Sequence, residues 1–111
     1  MSNEDTLLKM LEHCHHSQKL TAGFDYQQFV TAPGIKEACV LLVQQIGEAV
    51  TKLDAPFMAR HNKIPWQAMR DMRHRLVHDY EHTDFEIVWE TIQNDVPELV
   101  DALKKIVGGA D

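Results

Sequence analysis

Residues 35–53 read IKEACVLLVQQIGEAVTKL, and their apolar side chains recur every three or four positions, as on one face of a helix. The stripe and the side chains that widen it are Ile35, Ala38, Cys39, Leu42, Val43, Ile46, Ala49, Val50 and Leu53. A helix that is apolar over so wide an arc is usually covered on more than one side. We therefore predict a helix over about 34–53 at the centre of the fold.

Gly47 lies inside this pattern. Glycine costs a helix interior about 1 kcal/mol relative to alanine, so its presence needs a compensating interaction. The simplest compensation is the close approach of a second helix at that position. We expect a neighbouring helix to cross close to Gly47.

The rest of the chain also has helical periodicity. The predicted elements before residue 83 are a helix over about 4–21 with Asn3 or Asp5 at its cap, short helical pieces after Asp25 and Asp54, and a helix from Pro65. Each of them begins at a residue type that favours a helix start. The chain therefore alternates long and short helices with brief connections.

A last helix is predicted after residue 83. Thr83 and Glu86 have the spacing of a capping box ahead of an apolar stripe that ends at Gly108-Gly109. Pro97 lies within that stripe and should kink or split the helix. Because we find no period-two run and no hairpin turn signal, we predict one all-α domain over residues 1–111, a bundle of four to five helices.

Composition and the chain start exclude several classes of protein. The 44% hydrophobic content is typical of a folded globular protein. The start, MSNEDTLLKM, carries two acids ahead of any apolar run, unlike a secretory signal, and the longest apolar run is far shorter than the roughly 20 residues that cross a bilayer. Cys14 and Cys39 stand apart among apolar residues, as reduced core thiols do. We expect a cytoplasmic protein with no membrane segment.

Positive charge is concentrated in one part of this acidic chain. Residues 60–78 hold five basic residues and one acid, whereas the rest of the chain has a net charge of −10. The overall field would not attract nucleic acid, but this segment can do so locally. It contains most of the stretch MRHRLVHDY at 72–80, so candidate functional residues are sought there.

A helical wheel of this segment separates Arg73 from the other basic residues. The apolar arc consists of Trp66, Met69, Leu76, Val77 and Tyr80. Arg73 falls near the middle of that arc, Arg70 at its edge, and His74, Arg75 and His78 on the polar side. A charged side chain on an apolar face is unexpected unless it is paired. Two explanations of Arg73 stay open: an ion pair with an acid of another helix, and a functional role.

Two kinds of chemistry fit the histidines. His74 and His78 have the spacing of a metal-binding pair on one helix face, although no HExxH pattern accompanies them. Alternatively, Arg73 could bind a phosphate through its forked guanidinium while His78 moves a proton. That pair could cleave RNA, whose 2′-hydroxyl supplies the nucleophile, without a metal or another cofactor.

Geometry constrains the second possibility. Arg73 and His78 are five residues apart, so a straight helix points them about 140° apart. Either the helix loosens before His78, or two chains bring their copies together.

The pattern Arg73-x4-His78-x-Tyr80 resembles the RxxxxHxY motif of the HEPN superfamily, specifically its HepT-like toxin branch. The resemblance continues, in order, through TAGFDYQQF, QQIGEAVTKL, KIPWQAMRDMRHRLVHDY and DFEIVWETIQNDVPEL, which together span nearly the whole chain. It implies an up-and-down HEPN bundle that forms a homodimer or a higher oligomer, with the motif in a cleft between protomers.

The resemblance also implies a function and roles for residues. It implies a metal-independent endoribonuclease, the toxin of a toxin–antitoxin pair, which a nucleotidyltransferase antitoxin silences by adding AMP to Tyr80. Arg73 and His78 would be the catalytic pair, Tyr80 the modified or substrate-contacting residue, and His74 and Arg70 supporting residues. The family usually has Asn or another polar residue after the motif arginine, and this chain has His74.

Two other functions remain open at this point. The protein could be a non-catalytic HEPN subunit that binds a nucleotide or a nucleotidyltransferase partner, with Arg73 holding phosphate. The acidic remainder of the chain favours such protein docking over a grip on long RNA. It could also be a metal-binding bundle that uses His74 and His78.

Overall fold

A computed structural model describes residues 2–109, and within that range the chain is helical without strands. The helices are α1 (Asn3–Thr21), α2 (Tyr26–Thr31), α3 (Ile35–Val50), α4 (Ala55–Arg60), α5 (Trp66–His78), α6 (Phe85–Glu90) and α7 (Val96–Val107). A π-helical turn, Thr91–Asp95, joins α6 to α7 without a break, so the two form one rod. The described part of the chain therefore has four long helices and two short ones, and the prediction of an all-α bundle is confirmed.

Helix α3 lies at the centre, as its wide apolar face predicts. Its C-terminal half, including Ile46 and Val50, packs into a core shared with α1, α4 and α7. Its N-terminal half, including Cys39 and Val43, packs into a second core shared with α2, α5 and α6. Because one helix serves both cores, the position of α3 determines where the other long helices lie.

Neighbouring long helices run in opposite directions. The start of α1 meets the end of α3 where the Asn3 amide donates to Asp54 at 2.8 Å. The end of α1 meets the rod where Gln93 donates to Thr21 at 3.5 Å. Asp54 also accepts the Phe57 N–H at 2.8 Å and so caps α4. The Asn3 amide and this N–H hold the pKa of the Asp54 carboxyl below its usual range.

Two predicted helix caps were wrong. Helix α1 is capped by Ser2, whose hydroxyl accepts the Asp5 N–H, and not by Asn3 or Asp5. The rod that α6 and α7 form is capped by Asp84, which accepts the Glu86 N–H at 3.0 Å. Thr83 cannot fill the predicted role because its hydroxyl donates to the Tyr80 carbonyl and closes the preceding turn.

Pro97 interrupts the last helix one turn ahead of its own position. It lies near the start of α7, directly after the π-helical turn Thr91–Asp95. A proline ring crowds the carbonyl four residues earlier, here that of Gln93, and has no N–H to bond it. The wider turn accommodates this without ending the rod, so the predicted split is wrong and the predicted kink stays a prediction. None of the helices within residues 2–109 combines the length and hydropathy needed to cross a bilayer.

Candidate active site

Helix α5 carries the motif and rests on α3 along one side. Trp66 and Leu76 are its buried side chains. The Trp66 indole N–H lies 3.1 Å from the His61 carbonyl and 3.3 Å from the Met58 carbonyl, which fixes the start of the helix. The remaining surface of α5 is partly or fully exposed, so its polar residues are available for contact with other molecules.

The closest approach of α5 to α3 occurs at Gly47. A Cβ atom placed on Gly47 would overlap Cβ of Arg73 and lie 2.7 Å from the Met69 carbonyl oxygen. Only glycine permits this separation of the two helices. The predicted close approach is confirmed, and it falls at the motif arginine.

Arg73 forms an ion pair with an acid of the neighbouring helix. Its terminal guanidinium nitrogen Nη2 lies 2.8 Å from Oε2 of Glu48 in α3. The Arg73 side chain remains 33% exposed, so the pair lies at the surface and not in the core. The ion-pair explanation of Arg73 therefore holds within the chain, and the Arg73 side chain is still partly accessible to a ligand.

His78 is the last residue of α5, and the helix is regular up to that point. The Asp79 N–H still donates to the Arg75 carbonyl at 2.9 Å. The helix does not loosen before His78, so that way of bringing Arg73 and His78 together within one chain is wrong. Instead His78 contacts His74 one turn earlier, with ring centroids 4.5 Å apart. Convergence of Arg73 and His78 across two chains stays a prediction.

Tyr80 lies outside α5, on a 3-10 turn over Tyr80–His82. Its ring stands edge-on to Phe85 at a centroid distance of 6.5 Å and is 43% exposed. The placement of Tyr80 on the apolar arc of α5 was wrong because the helix ends before it. His82 belongs to the same turn and lies 2.7 Å from the Asp79 carboxylate.

Arg70 and Arg75 have surroundings different from those of Arg73. Arg70 is half-buried and donates to Gln67 of its own helix at 2.7 Å, so its support of the motif stays a prediction. Arg75 lines a cavity of about 450 Å³ between α3, α5 and α7, together with Met72 and Leu99. The motif residues Arg73, His78 and Tyr80 do not line this cavity.

The metal hypothesis lacks a third ligand in the part of the chain that is described. Within residues 2–109, no group of three or more histidine, cysteine, aspartate or glutamate side chains is arranged to hold a metal ion. The two thiols are buried in the cores, where desolvation raises the pKa of Cys14 to about 12 and that of Cys39 to about 11. They are core side chains, as the sequence indicates, and not nucleophiles.

Glu48 and Gln44 contact the motif helix although the sequence did not single them out. Gln44 donates its amide to the Leu76 carbonyl at 3.1 Å, and Glu48 pairs with Arg73. Both are polar residues at the border of the apolar stripe of α3, one turn apart and beside Gly47. Their position beside Gly47 could have indicated these contacts, because a polar residue beside a close helix contact faces the neighbouring helix.

Comparison with known proteins finds relatives that are named as ribonucleases. A candidate RNase of Caldanaerobacter subterraneus subsp. tengcongensis is 35% identical over 98 residues, which is 88% of each chain. A candidate RNase of Methanocaldococcus jannaschii is 32% identical over 101 residues, 91% of this chain and 84% of the relative. A protein of Thermococcus cleftensis, named as a candidate ribonuclease HepT, is 28% identical over 95% of this chain and 96% of its own length. No solved structure matches the chain significantly.

A family model agrees with these relatives. The model of the Ribonuclease HepT-like family matches residues 10–106, which include all of the second core, all of the first core except Leu7, and the whole motif helix. Two of the named relatives are more than 30% identical over most of the chain. The chain therefore belongs to the Ribonuclease HepT-like family of the HEPN superfamily.

Proposed function

We propose that this protein is a metal-independent endoribonuclease with Arg73 and His78 as its catalytic pair. The observation that carries the proposal is the ion pair of Arg73 with Glu48 at 2.8 Å, in which the Arg73 side chain is still one-third exposed, in a chain of a ribonuclease family. A permanent, partly accessible guanidinium is suited to a phosphate and to the charge that develops on it.

The reaction needs only the RNA and these side chains. His78 accepts the proton of a 2′-hydroxyl, and the 2′-oxygen attacks the adjacent phosphorus while the bond to the 5′-oxygen of the next nucleotide breaks. Arg73 stabilises the extra negative charge on the phosphoryl oxygens. A protonated imidazole returns a proton to the leaving oxygen. The products carry a 2′,3′-cyclic phosphate and a 5′-hydroxyl.

The active unit is proposed to be a homodimer joined through the outer faces of α3 and α5. Leu41 and Val77 are large apolar side chains that are 53% and 42% exposed, so a second chain could bury their area. Leu41 is seven residues from Glu48, and Val77 is four residues from Arg73, so each shares a face with one member of the ion pair. A second copy that covers these side chains would bring its own His78 towards Arg73.

Tyr80 is proposed as the point of control. Its exposed ring lies on a turn at the end of the motif helix, where a second protein can reach it. A nucleotidyltransferase antitoxin would transfer AMP from ATP to the phenol oxygen and release pyrophosphate. The added nucleotide would cover the motif and silence the toxin. The intact mass of the protein, made with and without the product of a neighbouring nucleotidyltransferase gene, tests this: a gain in whole AMP units supports it.

Cleavage of an RNA panel in the presence of EDTA tests the nuclease. Arg73→Ala and His78→Ala should each lower the rate by about 10²- to 10⁴-fold, since each removes one catalytic group. Arg75→Ala, in the same helix and equally charged, should leave the rate nearly unchanged. RNA with a 2′-deoxy nucleotide at the cleaved position should resist. The proposal fails if wild-type protein leaves the whole panel intact while Tyr80 is unmodified.

Mixing two inactive variants tests whether the site is shared between chains. Re-equilibrated Arg73→Ala and His78→Ala dimers form mixed dimers that contain one complete site if Arg73 and His78 come from different protomers. About a quarter of the wild-type activity should then return, because half of the dimers are mixed and each has one of two sites intact. A mixture that stays inactive would contradict the shared site.

A second candidate is a binding subunit without turnover. Glu48 already neutralises part of the Arg73 charge, which favours a modest phosphate contact over a strong grip on RNA. Calorimetric titration with ATP and with RNA separates the candidates: saturable ATP binding with intact RNA favours the binding subunit.

A further inference from the structure

Three positions on one face of α3 hold the motif half of α5. They are Gln44, Gly47 and Glu48, which are three or four residues apart or adjacent and so are neighbours on the surface of α3. Gln44 contacts a carbonyl of α5, Gly47 lets the two helices approach closely, and Glu48 pairs with a charged side chain of α5. Because the helices are antiparallel, Gln44 lies nearest the exposed end of the motif.

Gln44 closes the end of the motif helix. Its amide donates at 3.1 Å to the Leu76 carbonyl, one of the last four of α5. Those carbonyls have no following helical N–H and need other donors. The chain leaves the helix just afterwards, at Asp79. Gln44 therefore stabilises the point where His78 ends the helix and Tyr80 begins the next turn.

Gly47 and Glu48 determine where Arg73 points. Gly47 allows the Arg73 Cβ and the Met69 carbonyl to lie so close to α3 that a methyl group would not fit between them. Glu48, the next residue, then reaches one terminal nitrogen of the guanidinium at 2.8 Å. A guanidinium has five N–H donors in a rigid fork, so a carboxylate held at one terminal nitrogen restricts the directions of the remaining donors.

We propose that Glu48 is a positioning residue for the ribonuclease reaction, which acts through Arg73 and does not touch RNA. The inference rests on the proposed function and deepens it. An arginine held before the substrate arrives loses no rate to reorganisation in the transition state. The same carboxylate reduces the positive potential at the site. Removing it should therefore slow turnover without weakening RNA binding.

The test compares Glu48→Ala, Glu48→Gln and Glu37→Ala. Glu37 is the matched control because it is also in α3 and in an exposed ion pair, with Lys36 at 3.3 Å. Glu48→Ala should lower kcat about 10- to 100-fold with KM for RNA unchanged or lower. Glu48→Gln should recover part of the loss, since its amide oxygen can contact the guanidinium although the charge is lost. Glu37→Ala should match the wild type in both constants.

A signal from Arg73 itself gives a second readout that does not depend on cleavage. The Arg73 side-chain N–H resonance, assigned by its loss in Arg73→Lys, should shift in Glu48→Ala and stay in place in Glu37→Ala. Thermal melting of each variant shows whether it is folded. If Glu48→Ala does not fold, the Glu48→Gln variant provides the same comparison of kcat, KM and resonance position.

Three results would overturn the inference. Equal kcat in Glu48→Ala and Glu37→Ala would mean that the ion pair does not position Arg73, while the ribonuclease assignment would stand. Faster cleavage by Glu48→Ala would mean that the carboxylate obstructs phosphate. Absence of any cleavage by folded wild-type protein would remove the proposed function itself, and the positioning role with it.

Discussion

Helices α3 and α5 lie against each other and yet are stabilised in different ways. Helix α3 buries eight of its sixteen residues in two cores, so apolar area on several sides fixes its position. Helix α5 buries two of its thirteen residues, so it depends on a few specific contacts with α3. A helix with a surface site exposes its polar residues, so it buries too little apolar area to fix its own position. Specific contacts from the neighbouring helix must fix that position instead.

The largest expected effect compares two valines of these helices. Val50 in α3 is fully buried, whereas Val77 in α5 is 42% exposed. Val50→Ala should lower the free energy of unfolding by about 2.5 kcal/mol, through lost burial and a residual cavity. Val77→Ala should change it by less than about 0.5 kcal/mol. Urea unfolding at low protein concentration measures both, and equal losses would contradict the contrast between the helices.

The same valine pair also tests the proposed dimer. Val77→Ala should weaken association of two chains if the outer face of α5 forms the interface. Val50 lies in the core of one chain, so Val50→Ala should leave the association constant of the folded protein unchanged. Sedimentation over a range of concentrations measures it.

A smaller effect is expected at the closest contact of the two helices. Gly47→Ala gains about 1 kcal/mol of helix propensity, but the new methyl group overlaps Arg73 and crowds the Met69 carbonyl. Overpacking of this kind costs about 1–3 kcal/mol, so a net loss of stability of about 1 kcal/mol is expected. Gln45→Ala, an exposed change in the same helix, is the control. A stabilised Gly47→Ala protein would mean that the helices separate easily.

Loss of the Gln44 side chain should act locally. Gln44→Ala leaves the Leu76 carbonyl without its amide donor and should cost about 1 kcal/mol. Hydrogen exchange should accelerate most at the end of α5, around Asp79, while the amides of α3 lose no more protection than the drop in global stability accounts for. Gln45→Ala again serves as the comparison. Faster exchange spread evenly over the molecule would show that α5 is not separately held.

The smallest effects are expected for the buried thiols of α1 and α3. Burial raises the pKa of Cys14 to about 12 and that of Cys39 to about 11, so both remain protonated and unreactive in the folded protein at pH 8. Their labelling by a disulfide reagent should follow global unfolding. Val50→Ala should speed it much more than Gln44→Ala does, in line with their stability losses of about 2.5 and about 1 kcal/mol. Rapid labelling of the wild type would contradict a rigid α3.

The sign of the pH dependence follows from the same pKa values. Unfolded thiols ionise near pH 8.5, whereas the folded ones need a higher pH, so their contribution to stability is complete below pH 8.5 and is lost as pH rises towards 12. A double Cys14→Ala, Cys39→Ala variant should show a shallower loss of stability between pH 9 and 11.

Much of the fold and part of the site followed from the sequence. Apolar periodicity predicted the central helix, and Gly47 predicted the close contact, because both are local consequences of helix geometry. The Thr83 cap was wrong because its hydroxyl is used by the preceding turn. The position of Tyr80 was wrong because the end of α5 depends on Asp79 and on the Gln44 amide from another helix.

Sequence alone determined that this chain is helical and that α3 is central, since apolar spacing along a helix carries that information, and the family resemblance singled out Arg73, His78 and Tyr80 as a motif. Only the tertiary structure decided which acid meets Arg73 and where the motif helix ends. Glu48 and Arg73 are far apart along the chain, and their contact depends on the register between two antiparallel helices. That register is determined by the packing of all the helices, and no local pattern records it.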